Sequence, residues 1–230
     1  NKIYSINLFV FRDAFMHISD GVLSGPVLAA GFGGAAVLAA VTMRRMDMEE
    51  VPKVSVITAV FFVASLIHVP LGPSSVHLIL NGLVGIVLGI RAFPAIMLGI
   101  ILQALLFGHG GVSVIGVNSV MMGGGGLLAY GVWQLRHYFA FAHKEVIFGA
   151  LAGGTGVMVS GLILALALLT TGEEFTATAG LVLAWHVPII IIETIVVGSC
   201  AGFLTRVKPQ LLAGNKGAAL IHKPSMEKAS

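Results

Sequence analysis

Apolar runs separated by short polar breaks organise this chain. A helix that crosses a hydrocarbon core needs about 20 apolar residues at about 1.5 Å rise each. On that measure the pattern predicts seven spans: Gly21–Thr42, Val54–Val69, Ser75–Ile90, Phe93–Phe107, Val112–Leu135, Val146–Leu169 and Leu181–Leu204. Several are short, which predicts ends that lie within protein rather than against lipid. The breaks are distinctive. Asp47–Lys53 is charged, Pro70-Leu71-Gly72-Pro73 forbids a helix, and Gly108-His109-Gly110-Gly111 permits a tight reversal.

Composition agrees with this pattern. The chain of 230 residues is 57% hydrophobic and only 10% charged, with a mean hydropathy of +0.99. Soluble domains carry about 25% charged residues, so this is an integral membrane protein, expected to be an all-α bundle. The net charge of +3 follows a membrane rule rather than marking nucleic acid. With the N-terminus outside and the C-terminus cytoplasmic, eleven of the thirteen basic residues fall on the inner side, leaving only Lys2 and Arg12 outside. The outer loop between the sixth and seventh spans holds Glu173 and Glu174 and no base. That asymmetry is the positive-inside rule.

Three regions are expected: an extension over 1–15, a membrane-embedded unit over 16–209, and a cytoplasmic tail over 210–230. Segment 1–15 is too short and interrupted to cross a bilayer. Phe15 makes a poor signal-cleavage site, and an upstream extension misread as coding would look the same. The small-xxx-small pairs Gly85/Gly89 and Gly149/Gly153 fit internal helix packing or a face for a partner subunit. The single cysteine, Cys200, lies in an apolar run and supports neither an internal disulfide nor a thiolate metal cluster.

The expected topology sorts the histidines. His17, His68, His77, His109 and His186 all fall at or near the outer rim, whereas His137 and His143 flank an inner loop and His222 lies in the tail. Imidazole suits nickel, cobalt, zinc and copper, so five rings at one rim predict a transition-metal site. His77 is the stronger ligand of the pair bounding the proline-rich turn, because it is expected to enter an apolar helix where its ring needs a partner. His68 ligates too, or stabilises the turn. Asn81, at i+4 from His77, supports a ligand or makes an interhelical hydrogen bond. Asn118 is expected to fix a loop or to orient a ligating imidazole, and Gln103 and Ser74 are further supports of that kind. Glu193 sits in the otherwise apolar run Ile189–Val197, where a carboxylate is costly and must face the bundle or a partner. A partner contact, a proton-linked role and a structural hydrogen bond all remain open for it.

Absent motifs narrow the function. The chain has no phosphate loop, no HExxH and no nucleophile elbow, so ATP hydrolysis by the phosphate-loop route and the common hydrolase chemistries are excluded.

Met16-His17-Ile18-Ser19-Asp20-Gly21 with Leu23, then Gly72-Pro73-Ser74-Ser75 with His77, then Phe107-Gly108-His109-Gly110-Gly111 with Gly116 and Asn118, occur in order along the chain. Together with His186-Val187-Pro188 and Ile192-Glu193, they make the chain resemble the cobalt/nickel-uptake M proteins (CbiM/NikM), from Met16 to about Pro209. These are the substrate-binding S components of energy-coupling-factor transporters. The resemblance implies a seven-helix inner-membrane protein that takes Co²⁺ or Ni²⁺ as cargo and serves cobalamin biosynthesis. It implies three kinds of partner: a T-component membrane protein, an ABC ATPase pair and a small accessory membrane subunit. It also implies a planar set of metal-binding nitrogens: the amine of Met16, the backbone nitrogen and ring of His17, and the ring of His77. Met16 has an amine only if residues 1–15 are absent from the mature protein, and the expectation is that the working chain begins at Met16. Otherwise the fourth ligand must come from His68, His109 or water. The alternative function is a self-sufficient metal permease or ion-coupled carrier; a metalloenzyme is disfavoured by the lack of paired acid–base residues.

Overall fold

The computed structural model describes residues 18–44, 46–71 and 74–214, with the backbone alone for strand residues 68–71 and 74–77. Seven α-helices cover these residues: α1 (Gly25–Met43), α2 (Val51–Ala64), α3 (Asn81–Leu88), α4 (Ala92–Phe107), α5 (Ile115–Gln134), α6 (Lys144–Thr171) and α7 (Thr176–Val207). Pro26 and Pro52 stand in the first turns of α1 and α2, where the missing N–H costs nothing. Five stretches are long and apolar enough to cross a membrane: α1, the run Asn81–Phe107, and the stretches containing α5, α6 and α7. The chain is a multi-pass membrane protein.

Polar contacts define the two ends of the bundle. At one end the Asp20 N–H donates to the Gly110 carbonyl at 2.8 Å, and the Ser24 N–H reaches Thr171 Oγ1 at the tip of α6. At the other, Arg91 donates to the carbonyls of Thr42 and Arg44 at the end of α1 and pairs with Glu50 at 2.9 Å. Lys53 Nζ there donates to the Val87 and Leu211 carbonyls.

Asn81–Phe107 is not one straight span. Gly89 takes φ +62° and ψ −129°, a conformation open to glycine and costly for other residues, and the chain reverses there. Asn81 lies at mid-depth, bonded to Gly156 in the middle of α6. Residues 87–91 sit at the Arg91 end, and Gly108–Gly111 is back at the Asp20 end. Helix α3 is therefore a half-length helix, and α4 returns beside it.

Between α2 and α3 the expected turn is a β-hairpin. Strands β1 (His68–Leu71) and β2 (Ser74–His77) pair antiparallel with His68 opposite His77 and Leu71 opposite Ser74. The architecture is the expected helical bundle, with this one short hairpin added among the described residues. A span starting at Ser75 is corrected as well, since the helix starts at Asn81. Pro70, Gly72 and Pro73 exclude a helix through the turn, and strand pairing satisfies the backbone instead.

Both small-residue pairs pack inside the bundle. A Cβ on Gly85 would lie 2.3 Å from the Gly126 carbonyl oxygen, and one on Gly149 2.4 Å from the Ala201 Cβ. Such closeness lets backbones touch where lipid supplies no hydrophobic drive for association. The expected tail begins as packed structure: Leu212 is buried, and the Ala213 carbonyl accepts from Trp133 Nε1 and Arg136.

Candidate metal-capture site

The polar segment after His17 is sewn into the Asp20 end of the bundle. Ile18 is buried, and its N–H donates to Asn118 Oδ1 at 3.1 Å while Asn118 Nδ2 donates back to its carbonyl at 3.2 Å. Two residues on, Asp20 Oδ1 accepts from the Ser113 N–H at 2.9 Å and from the Ser113 hydroxyl at 2.5 Å. Gly111 makes room for this carboxylate: with φ +108°, a Cβ there would sit 2.1 Å from Asp20 Cγ. The glycine-rich α4–α5 loop is thus a cradle for the chain that follows His17.

Met16 and His17 lie outside the described residues. His68, Ser74 and His77 lie in the hairpin, and His77 ends β2 rather than entering a helix. The expectation that Asn81 sits one helical turn beyond His77 on a shared face is therefore corrected: Leu78–Leu80 intervenes as non-helical chain. Leu80 adopts the left-handed conformation, φ +53° and ψ +11°, immediately before α3.

That short segment is held by Glu193. The Ile79 N–H donates to Glu193 Oε1 at 2.6 Å and the Leu80 N–H to the same oxygen at 2.8 Å. Glu193 is fully buried at mid-length in α7. Its partner, invisible in the sequence, is the backbone at the mouth of the half-helix. There the carboxylate meets unpaired N–H groups and the positive end of the α3 dipole.

Asn81 makes the interhelical bonds: its Nδ2 donates to the Gly156 carbonyl at 3.0 Å and to Ser160 Oγ at 2.9 Å, tying α3 to α6. Gly125 and Gly156 leave the hole it fills, since a Cβ on either would come within 2.7 Å of its amide. Gln103 is fully buried in α4, and neither of its amide atoms has a partner among the described residues. His109 is half-buried in the cradle loop; its N–H donates to the Gln103 carbonyl and its ring lies 6.0 Å from that of Phe107. His186 is buried against Gly161, with Nδ1 bonded to the Val182 carbonyl one turn back in α7. It is thus a helix-packing residue remote from the cradle in its contacts. Among the described residues no three His, Cys, Asp or Glu side chains gather into a metal cluster. Asp20, Gly111, Ser113 and Ser160 emerge only from the structure. The nearest sequence signal was an acid in the opening motif and a double glycine in the loop.

The family model for the cobalt uptake substrate-specific transmembrane region matches residues 17–211. The chain belongs to this family. A relative named putative metal transport protein, from Haemophilus influenzae, is 36% identical over 199 residues, covering 86% of this chain and 97% of the relative. The fused nickel transport protein NikMN of Rhodobacter capsulatus is 28% identical, covering 89% of this chain; the chain spans 66% of that longer protein. The crystal structure of a transition metal transporter superposes with a TM-score of 0.65 at 24% identity, over 84% of this chain and 93% of that one, and shows the shared fold. The family match begins at His17, the residue before the Asn118 clasp, and ends at Leu211 in the packed segment after α7.

Proposed function

We propose that the chain captures Co²⁺ or Ni²⁺ at the outer face as the S component of an energy-coupling-factor uptake system. The ligands are the Met16 amine, the backbone nitrogen and ring of His17, and the ring of His77. His68, His109, Ser74, Asn81 and Asn118 support that set, and His186 and Glu193 act inside the membrane. The single observation that carries the reading is the double anchoring of the chain beside both candidate ligands. Asn118 grips Ile18 directly after His17, and Glu193 grips Ile79 and Leu80 just after His77. Anchored neighbours are what a chelating arm needs, because a ligand set holds a metal only when its geometry is fixed beforehand.

The chemistry is consistent. A terminal amine followed by His at position two forms fused chelate rings through the intervening amide, and a distant imidazole closes a planar four-nitrogen set suited to Ni²⁺ and open to Co²⁺. The amine is available when residues 1–15 are removed. The Asp20 end then faces outward and the Arg91 end inward, with all seven helices forming the membrane domain and the half-helix α3 buried among them. Energy comes from a T-component membrane protein and an ABC ATPase pair, with a small accessory membrane subunit.

The test is metal content of the full chain purified from its native membrane, with intact mass measured alongside. Wild type should carry nickel or cobalt and start at Met16, and His17→Ala and His77→Ala should each lose the metal. Unchanged metal in both variants would sink the site. Uptake that persists without a co-expressed ATPase pair would instead establish a self-sufficient carrier.

A further inference from the structure

We infer that Glu193 is a positioning residue for metal capture: through the N–H groups of Ile79 and Leu80 it sets where β2 ends and therefore where His77 stands. The inference rests on the reading above, in which His77 is a ligand. It shares with that reading the Glu193 bonds and adds the conformation of the segment that they hold.

Leu78–Leu80 is the only chain between the strand that ends in His77 and helix α3. The Ile79 and Leu80 N–H groups lie outside both the strand ladder and the helix ladder, although the Leu80 carbonyl accepts the first bond of α3. Leu80 is in a left-handed conformation that L-residues rarely adopt. Left alone, such a segment would relax. Glu193 Oε1 prevents this by accepting from both N–H groups, at 2.6 and 2.8 Å, in a buried setting where neither can turn to water. The anchor comes from α7, which packs along the length of α6, so the hairpin arm is referenced to the most extensively packed helix pair of the bundle. A carboxylate at this depth is costly for the membrane domain. A role confined to packing would be served as well by an apolar side chain. Glu193 Oε2 has no partner among the described residues. A Gln at this position would therefore keep the accepting oxygen and break no bond with its nitrogen.

The experiment titrates the detergent-purified full chain with NiCl2 and with CoCl2. It compares Glu193→Leu, Glu193→Asp, Glu193→Gln, His77→Ala and His17→Ala by calorimetry and by the visible ligand-field spectrum of the bound ion. Glu193→Leu should lose about 10- to 100-fold in affinity, as supports of metal ligands typically do, with a shifted spectrum. Glu193→Gln should restore both the affinity and the spectrum, whereas a general packing defect would not alter the ion's ligand field. Should Glu193→Leu fail to fold, Glu193→Asp carries the test. Its acceptor is drawn back by one methylene, so it should bind more weakly than Glu193→Gln. Wild-type affinity in Glu193→Leu or Glu193→Asp, with His77→Ala unable to bind, overturns the positioning role and leaves the ligand set intact. Wild-type affinity in His17→Ala and His77→Ala overturns the ligand set and this inference with it.

Discussion

Asn118 and Ile18 hold each other through four backbone and amide atoms a hundred residues apart in sequence: Oδ1 takes the Ile18 N–H at 3.1 Å, and Nδ2 gives to the Ile18 carbonyl at 3.2 Å. Both residues are buried, so neither Ile18 group can turn to water if the amide is removed. Asn118→Leu should destabilise the protein by about 1–3 kcal/mol for each orphaned group. Asn118→Asp keeps the acceptor but sets a second oxygen against the Ile18 carbonyl in a buried setting, so it too should destabilise. Thermal unfolding in detergent, followed by helical circular dichroism, measures both. Equal melting temperatures for wild type and Asn118→Leu would show that the clasp holds nothing.

How much of this was legible beforehand depends on the kind of interaction. Apolar runs located the ends of α4, α5, α6 and α7 to within a few residues, because helix length against a bilayer is a one-dimensional property. Asn118 and Glu193 also stood out, as polar groups in apolar surroundings. Their partners did not, since Ile18, Ile79 and Leu80 contribute backbone groups that every residue possesses. The same reason hid the hairpin. Pro70 and Pro73 announced a break, but only the pairing of His68 with His77 turned it into strands and moved the helix start to Asn81. The reversal near Gly89 was legible, because Arg91 already parted the third span from the fourth.

The cradle loop offers a paired comparison of two glycines. Gly108 has φ +67° with open space where a Cβ would go, whereas at Gly111 a Cβ would fall on the Asp20 carboxylate. Gly108→Ala should cost only the backbone strain, about 1 kcal/mol. Gly111→Ala should in addition eject Asp20 from Ser113 and loosen the segment Ile18–Ser24. Limited proteolysis of the purified protein should cut that segment faster in Gly111→Ala and at the wild-type rate in Gly108→Ala. The same rate in both would mean that Asp20 does not tether the arm.

At the opposite end, stability should depend on pH through Glu50. Its carboxylate lies below the usual range, first because the Arg91 guanidinium donates to it, with the Asp47 N–H and the Arg91 and Lys53 charges adding to the effect. A depressed folded value means that the pair contributes above the unfolded pKa, ~4.3 for Glu. The contribution fades as pH falls through the depressed value. The Glu50 side chain is 39% exposed, so solvent screening holds the effect below about 1 kcal/mol. Glu50→Gln should therefore melt slightly below wild type at pH 7, and the gap should close in acid. A gap that widens on acidification would reverse the assigned sign.

Asn81 and Gly156 should behave as one unit. The Asn81 amide donates to the Gly156 carbonyl, while its own Oδ1 would lie 2.7 Å from a Cβ placed on Gly156. Gly156→Ala overpacks this contact and should cost about 1–3 kcal/mol, since the neighbouring atoms belong to a buried side chain held on two sides. Asn81→Ala removes the obstruction together with the bonds to Gly156 and Ser160. It leaves the Gly156 carbonyl with its helical bond and Ser160 still bonded within α6 and to α5. Once the amide is gone, the added methyl has room. The double variant should then be less destabilised than the sum of the two single ones, with a coupling of about 0.5–3 kcal/mol. Strict additivity in a double-mutant cycle of thermal stability would mean that α3 and α6 are registered by something other than this amide in its glycine-lined hole.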